Sequence, residues 1–163
     1  MIEVILNDSR WLSADLEALA HRSVAVVLAT LDIDVDHAEI AILGCDDAQI
    51  ADLNADFRDK PTPTNVLSWP DVDLSPEADG EHPHPPTPDP NGSISLGDIA
   101  IAYDTCAREA AEQNKQMADH VTHLIVHGTL HLLGYDHIGD KDAAVMEALE
   151  VKLLGILGVP DPY

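Results

Sequence analysis

Between residues 127 and 137 the chain reads His-Gly-Thr-Leu-His-Leu-Leu-Gly-Tyr-Asp-His, which sets three imidazoles, His127, His131 and His137, at the spacing of a transition-metal site. Residues four apart on a helix share one face about 6 Å apart, so His127 and His131 can address the same ion. Gly134 falls three residues after His131. There a left-handed backbone ends a helix at little cost and lets the chain return to deliver His137. Three neutral imidazoles leave a tetrahedral zinc one open position, the arrangement of a catalytic centre rather than a closed structural one. Two histidines four apart are more often core residues. It is the third, beyond a correctly placed glycine, that singles out a metal site.

The segment overlaps the H-E-x-x-H-x-x-G-x-x-H pattern of zinc peptidases at all three ligands and at the glycine. It departs at one position. Where those enzymes carry the glutamate that serves as general base, this chain has Gly128, which cannot move a proton. The ligand set therefore points to a metal-dependent hydrolase, with a metallopeptidase as the disfavoured alternative.

These histidines need a helix, expected from about Asp119 to Leu133, and the rest of the sequence supplies a scaffold for it. Ile2 to Asn7 reads as a strand, and Ser13 caps a helix carrying Leu16, Leu19, Ala20, Val24, Val27, Leu28 and Leu31. A second strand is expected from His37 to Leu43. Asp46 and Asp47 offer caps for a helix to about Asp56. Val66 to Trp69 and Ile94 to Ala102 read as strands, with Gly97-Asp98 marking a bulge or a close backbone approach. A helix from Asp104 to about Gln116 precedes the histidine helix. The last helix, about Lys141 to Leu157, is expected to bury Val145, Leu149, Leu153 and Ile156. Residues 70–92 hold seven prolines and few aliphatics, the composition of a solvated, irregular insertion, with His82 and His84 as surface residues. The element order predicts an α+β domain spanning residues 1–163: a small mixed four-stranded sheet packed with about five helices. His120 and His123 extend the histidine stripe toward the start of the helix. His123 is expected in the core or behind the ligands, and His120 on the outer surface.

With 163 residues the chain is long enough to bury a core without staples, and Cys45 and Cys106 are too few and too far apart for a disulfide framework. They are expected as reduced thiols outside the metal site. No apolar run approaches the ~20 residues of a membrane span, and the start lacks the features of a signal peptide, so a cytoplasmic location is expected. Thirty acidic against eight basic residues give a net charge of −22. A nucleic-acid binder normally has the opposite sign, because phosphate contacts supply most of its affinity. Only Arg58 and Lys60 form a close pair of cations. A divalent ion would add positive potential locally.

The histidine run, with His123-Leu124-Ile125-Val126 before it, resembles the signature of the YbeY family of ribosomal RNA maturation factors. The likeness extends over Leu53-Asn54 through Phe57-Arg58, Thr64-Asn65-Val66-Leu67-Ser68-Trp69-Pro70, Leu96-Gly97-Asp98-Ile99, Met146 to Glu150, and Asp161-Pro162-Tyr163. Asn65 and Trp69 stand where that family usually has aspartate and phenylalanine. The resemblance implies a zincin-like arrangement. It also implies a zinc-dependent, single-strand-specific endoribonuclease acting on ribosomal RNA, including the 3′ end of 16S RNA, and in ribosome quality control. Arg58 matches the family arginine. Its planar guanidinium can hold two phosphate oxygens and stays protonated, which makes it the candidate catalytic residue. The net charge then implies weak affinity for free RNA and reliance on the ribosome, or a protein bound to it, to present the substrate. A non-catalytic ribosome-associated factor with a structural zinc is the remaining alternative. Asp136 is expected either to orient a ligand imidazole or to bond backbone amides at the helix end.

Overall fold

The computed structural model describes residues 1–163. Ten elements follow one another: β1 (Ile2–Leu6), α1 (Arg10–Ser13), α2 (Leu16–Thr30), β2 (Ala38–Cys45), α3 (Asp47–Arg58), β3 (Val66–Pro70), β4 (Ile94–Ala102), α4 (Tyr103–Glu112), α5 (Met117–Leu132) and α6 (Asp140–Ile156). This is the predicted α+β order with one added helix. The helix expected to be capped by Ser13 starts instead at Leu16, because Ser13 closes the added helix α1 and a break at Asp15, whose φ of +57° is left-handed, separates the two. The break lets Trp11 bury its ring completely while its indole N–H donates to the Cys45 carbonyl at 2.9 Å.

The sheet has the order β1-β2-β4-β3. β1, β2 and β4 run parallel, and β3 pairs antiparallel with β4 along the edge. Apolar side chains leave both faces of the sheet. Ile40, Ile42, Leu96, Ile99 and Ile101 enter the main core with α2, α5 and α6, whereas Leu67, Ala100 and Ala102 pack on the other side with Ile50 of α3. The histidine helix α5 contacts β3, β4, α2, α4 and α6. It is thus held from several directions, and its buried residues run almost its full length.

The expected irregularity at Gly97 takes both anticipated forms. The β2–β4 register slips between Glu39 and Ile40, and a Cβ at Gly97 would lie 2.1 Å from the Trp69 carbonyl oxygen. Beyond Pro70, which ends β3, the proline-rich segment has no helix or strand, and His82 and His84 are exposed. It is nevertheless tied down. Leu74 is buried, the Asp79 carboxylate accepts from the Asp142 amide, and the Asp142 carboxylate accepts from the Gly80 amide. Gly139 begins α6 with no side chain of its own to cap it, so Asp79 supplies the cap from a distant part of the chain.

Candidate functional site

The end of α5 explains how the third histidine reaches the other two. Gly134 adopts φ +97°, its amide donates to the His131 carbonyl, and the Tyr135 amide donates to the Leu130 carbonyl. These paired bonds form a Schellman stop, which satisfies two of the orphan carbonyls at the helix end and reverses the chain. A Cβ at Gly134 would also strike the Leu74 backbone at 2.7 Å. The reversal turns the Tyr135 carbonyl back toward His131, whose Nδ1–H donates to it at 2.9 Å.

His127, His131 and His137 come together, with one ring nitrogen from each within 4.8 Å of the others. Ring centroids lie 4.5 Å apart for His127 and His131, 5.2 Å for His127 and His137, and 5.0 Å for His131 and His137. The hydrogen bonds fix the protonation of the helical pair. A carbonyl only accepts, so His131 carries its proton on Nδ1. His127 donates its Nδ1–H at 2.5 Å to Glu150, a fully buried residue of α6. The remaining nitrogens, both Nε2, face one another at 3.0 Å with His137 beside them. Two lone pairs this close repel unless a cation lies between or beside them, so the donor set fits a metal ion bound by three imidazoles. Burial, and then the neighbouring His127, push the His131 imidazole down to about 4, which keeps it in the neutral form that a metal requires.

Around Glu150 burial alone would raise the carboxyl, but the polar groups of His123, His127 and Tyr163 outweigh it and hold it at about 2. The Tyr163 hydroxyl donates to Glu150 Oε2. His123 Nε2 lies 3.7 Å from Glu150 Oε1, beyond hydrogen-bond reach, and both its ring nitrogens are unpartnered. Glu150 was hidden in the sequence by its charge. The stripe expected on the last helix was Val145, Leu149, Leu153 and Ile156, whereas the buried residues are Met146, Glu150, Leu153 and Leu154. Admitting one charged residue to the apolar period would have found the true face.

Other expected residues sit elsewhere. His120, expected on the surface, is buried at 4% exposure and meets Glu109 Oε1 at 3.0 Å through Nε2, because α4 packs against α5 and brings that carboxylate to it. Asn65 donates to the same Glu109 oxygen at 3.1 Å. Asp136 takes the backbone role of the two expected for it, accepting from the His137 amide at 2.7 Å. Arg58 is exposed in the last turn of α3, as is Lys60 just beyond it. Gly128 turns toward the sheet, where a Cβ would approach Ile99 at 3.1 Å. Cys45 and Cys106 are both free and buried.

Fold and site together define an α+β domain built around a three-histidine constellation on one helix and the turn that ends it. The family model described as Endoribonuclease YbeY matches residues 4–158, and the chain belongs to the YbeY family. It is 56% identical over 163 residues to the "Endoribonuclease YbeY" of Ruegeria sp. (strain TM1040), covering 100% of this chain and 96% of that one. It is 57% identical over 162 residues to the protein of the same name from Ruegeria pomeroyi, covering 99% and 97%. Among solved structures, the solution structure of TM1509 from Thermotoga maritima superposes with a TM-score of 0.53 at 19% identity, over 97% of this chain and 92% of that one. The last comparison bears on the fold alone.

Proposed function

We propose that residues 1–163 form a single domain that acts as a zinc-dependent, single-strand-specific endoribonuclease in ribosomal RNA maturation, at the 3′ end of 16S RNA, and in ribosome quality control. His127, His131 and His137 hold the ion. The observation that carries this reading is the pair of Nε2 atoms of His127 and His131, turned toward each other beside His137 while both Nδ1 protons are engaged elsewhere. A zinc ion bound there supplies a Lewis acid for a phosphoryl oxygen and lowers the pKa of water to about 7. The family membership and the names of the relatives support RNA as the substrate.

Phosphodiester cleavage also needs charge stabilisation on the non-bridging oxygens. Arg58 is the residue assigned to it. No carboxylate pairs with its guanidinium, so its fork of N–H donors is free to hold two phosphate oxygens. The nucleophile is either water or the 2′-hydroxyl of the RNA. Gly128 offers no general base and faces Ile99, which disfavours peptide hydrolysis. With a net charge of −22, binding depends on the local site and on presentation by the ribosome, and the proposed location is the cytoplasm.

The test incubates zinc-loaded and chelated protein with single-stranded RNA, duplex RNA and peptide. Metal-dependent cutting of single-stranded RNA is expected, with none of peptide, and the reverse result would sink the proposal. His131→Ala should abolish zinc binding and cleavage in a protein that still folds. Arg58→Ala should keep its zinc and lose at least about tenfold in turnover; unchanged cleavage would remove Arg58 from the mechanism.

A further inference from the structure

Glu150 is the one charged side chain in the chain with no exposure at all, and it sits directly behind a proposed ligand. A buried carboxylate costs several kcal/mol unless hydrogen bonds compensate it. Here both oxygens are engaged: Oε1 accepts from His127 Nδ1–H, and Oε2 accepts from the Tyr163 hydroxyl. His123, Glu150 and His127 could be taken for a second ion site, since their ligand atoms also lie within 4.8 Å of one another. The 2.5 Å separation of His127 Nδ1 and Glu150 Oε1 argues against that, because it is the length of a short charge-assisted hydrogen bond, half an ångström tighter than the 3.0 Å between the two Nε2 atoms of His127 and His131. The contact is a hydrogen bond. His123 serves as packing, edge-on to Tyr163 at 5.9 Å and to His127 at 6.2 Å.

We propose that Glu150, held in place by Tyr163, is a positioning residue: it fixes His127 as the Nδ1–H tautomer and aims its Nε2 lone pair at the point shared with His131 and His137. The neutral imidazole has two tautomers, and only the one protonated on Nδ1 offers Nε2 to an ion. His131 obtains the same tautomer from the Tyr135 carbonyl, a product of the helix stop. His127 lies before the helix stop and cannot use the Tyr135 carbonyl that serves His131, and its acceptor comes from another element. α6 supplies it. A negative acceptor also makes the ligating nitrogen more basic, and such partners are typically worth about 10- to 100-fold in metal affinity. The segment 161–163, remote from the ion in sequence, thereby becomes part of the metal centre through one hydroxyl.

The inference rests on the metal reading above, and its test separates the two. Tautomers are read by imidazole 15N–1H correlation in the metal-free protein. Zinc affinity is read by chelator competition, and geometry by the visible spectrum of the cobalt-substituted protein. In the wild type His127 is expected as Nδ1–H. Glu150→Gln keeps an acceptor but loses the charge, so it should preserve the tautomer while zinc affinity falls about 10- to 100-fold and the cobalt bands shift. Glu150→Leu should lose the tautomer and more of the affinity, and Tyr163→Phe should cost only a few-fold. Should the leucine variant fail to fold, the glutamine variant and the wild-type spectrum still decide. An Nε2–H tautomer in the wild type overturns the proposal. So does a glutamine variant with wild-type affinity and cobalt spectrum. A wild type that takes up no zinc, yet shows the Nδ1–H form, sinks the zinc reading and leaves the tautomer control standing.

Discussion

The two halves of α5 carry the same pairing with different outcomes. Near its start His120 meets Glu109; near its end His127 meets Glu150. In both, a ring nitrogen contacts a carboxylate brought in by a neighbouring helix. What differs is the other nitrogen. His120 Nδ1 is buried and faces no partner, while His127 Nε2 faces the His131 nitrogen with His137 alongside. A histidine–carboxylate pair is thus only a strut until its free nitrogen converges with others. Convergence at the second pair comes from the helix stop at Gly134, for which the first half of the helix has no counterpart.

The sharpest way to break the comparison is to add zinc. A ligand that binds only the folded state stabilises it by about 2.7 kcal/mol at a hundred times its dissociation constant. Wild type and His120→Ala should both show this gain in thermal unfolding, and His131→Ala should not. Equal gains in all three variants would place the ion elsewhere.

His120→Ala itself should cost about 2 kcal/mol in urea unfolding, from a lost buried side chain and a Glu109 carboxylate deprived of one donor, with zinc content unchanged. Loss of zinc in this variant would mean that the two halves are not independent. Gly134→Ala tests the element that separates them. A non-glycine residue at φ +97°, with its Cβ 2.7 Å from the Leu74 backbone, should cost about 1–3 kcal/mol and also weaken zinc binding, because His137 and the Tyr135 carbonyl depend on that turn. A stability loss with unaltered zinc affinity would show that the turn does not set the site.

The same contrast marks what the sequence could show. The three-histidine end is local. A four-residue spacing, a glycine three residues on and a histidine after it all lie within one turn and a half of helix and its exit, so the pattern is readable without the fold. The Asp46 cap of α3, whose carboxylate accepts from the Gln49 amide, is local too. Glu109 and Glu150 are not. They reach their histidines only through helix packing, and Glu150 lies on an apolar face that periodicity assigns to aliphatics. The Asp79 cap of α6 escaped for the same reason, since it reaches Asp142 across 63 residues. The short helix α1 ahead of Asp15 is not legible in the sequence because its demand comes from Trp11 and its bond to Cys45, a contact between elements.

Asn65, just before β3, is tied through Glu109 to the His120 half of α5, and an asparagine there has a local reading. Its Nδ2 donates to both Glu109 oxygens, at 3.1 and 3.4 Å. Asn65→Asp would set a second carboxylate against Glu109 and should cost about 1–2 kcal/mol, with zinc content unchanged. Adding Glu109→Gln should recover most of it. A double variant no more stable than Asn65→Asp would show that repulsion is not the cause.

The smallest effect concerns the two thiols, Cys106 in the main core and Cys45 on the opposite side of the sheet with Ile50 and Leu67. Cys106 Sγ lies 3.8 Å from the Asn65 carbonyl, and burial, then Glu109, raise its thiol well above the ordinary range. Burial, then Asp46, push Cys45 up to about 12. Only thiolate attacks disulfide reagents, so neither should react at pH 8 in the folded protein, and both should react on unfolding. The sign of the linkage follows. The folded state keeps these protons while the unfolded chain releases them near its ordinary thiol pKa of about 8.5. Their contribution is therefore fully present below that pH and is lost as pH rises toward the folded values. Stability measured in urea at pH 7 and pH 10 should fall between the two, less so in Cys45→Ala and Cys106→Ala. In His120→Ala, which removes a buried side chain from the packing of α5 against the helix that carries Cys106, slow labelling of that thiol alone should appear at pH 8. If Cys45 were labelled equally fast, the loosening would extend across the sheet rather than stay in the His120 half of α5.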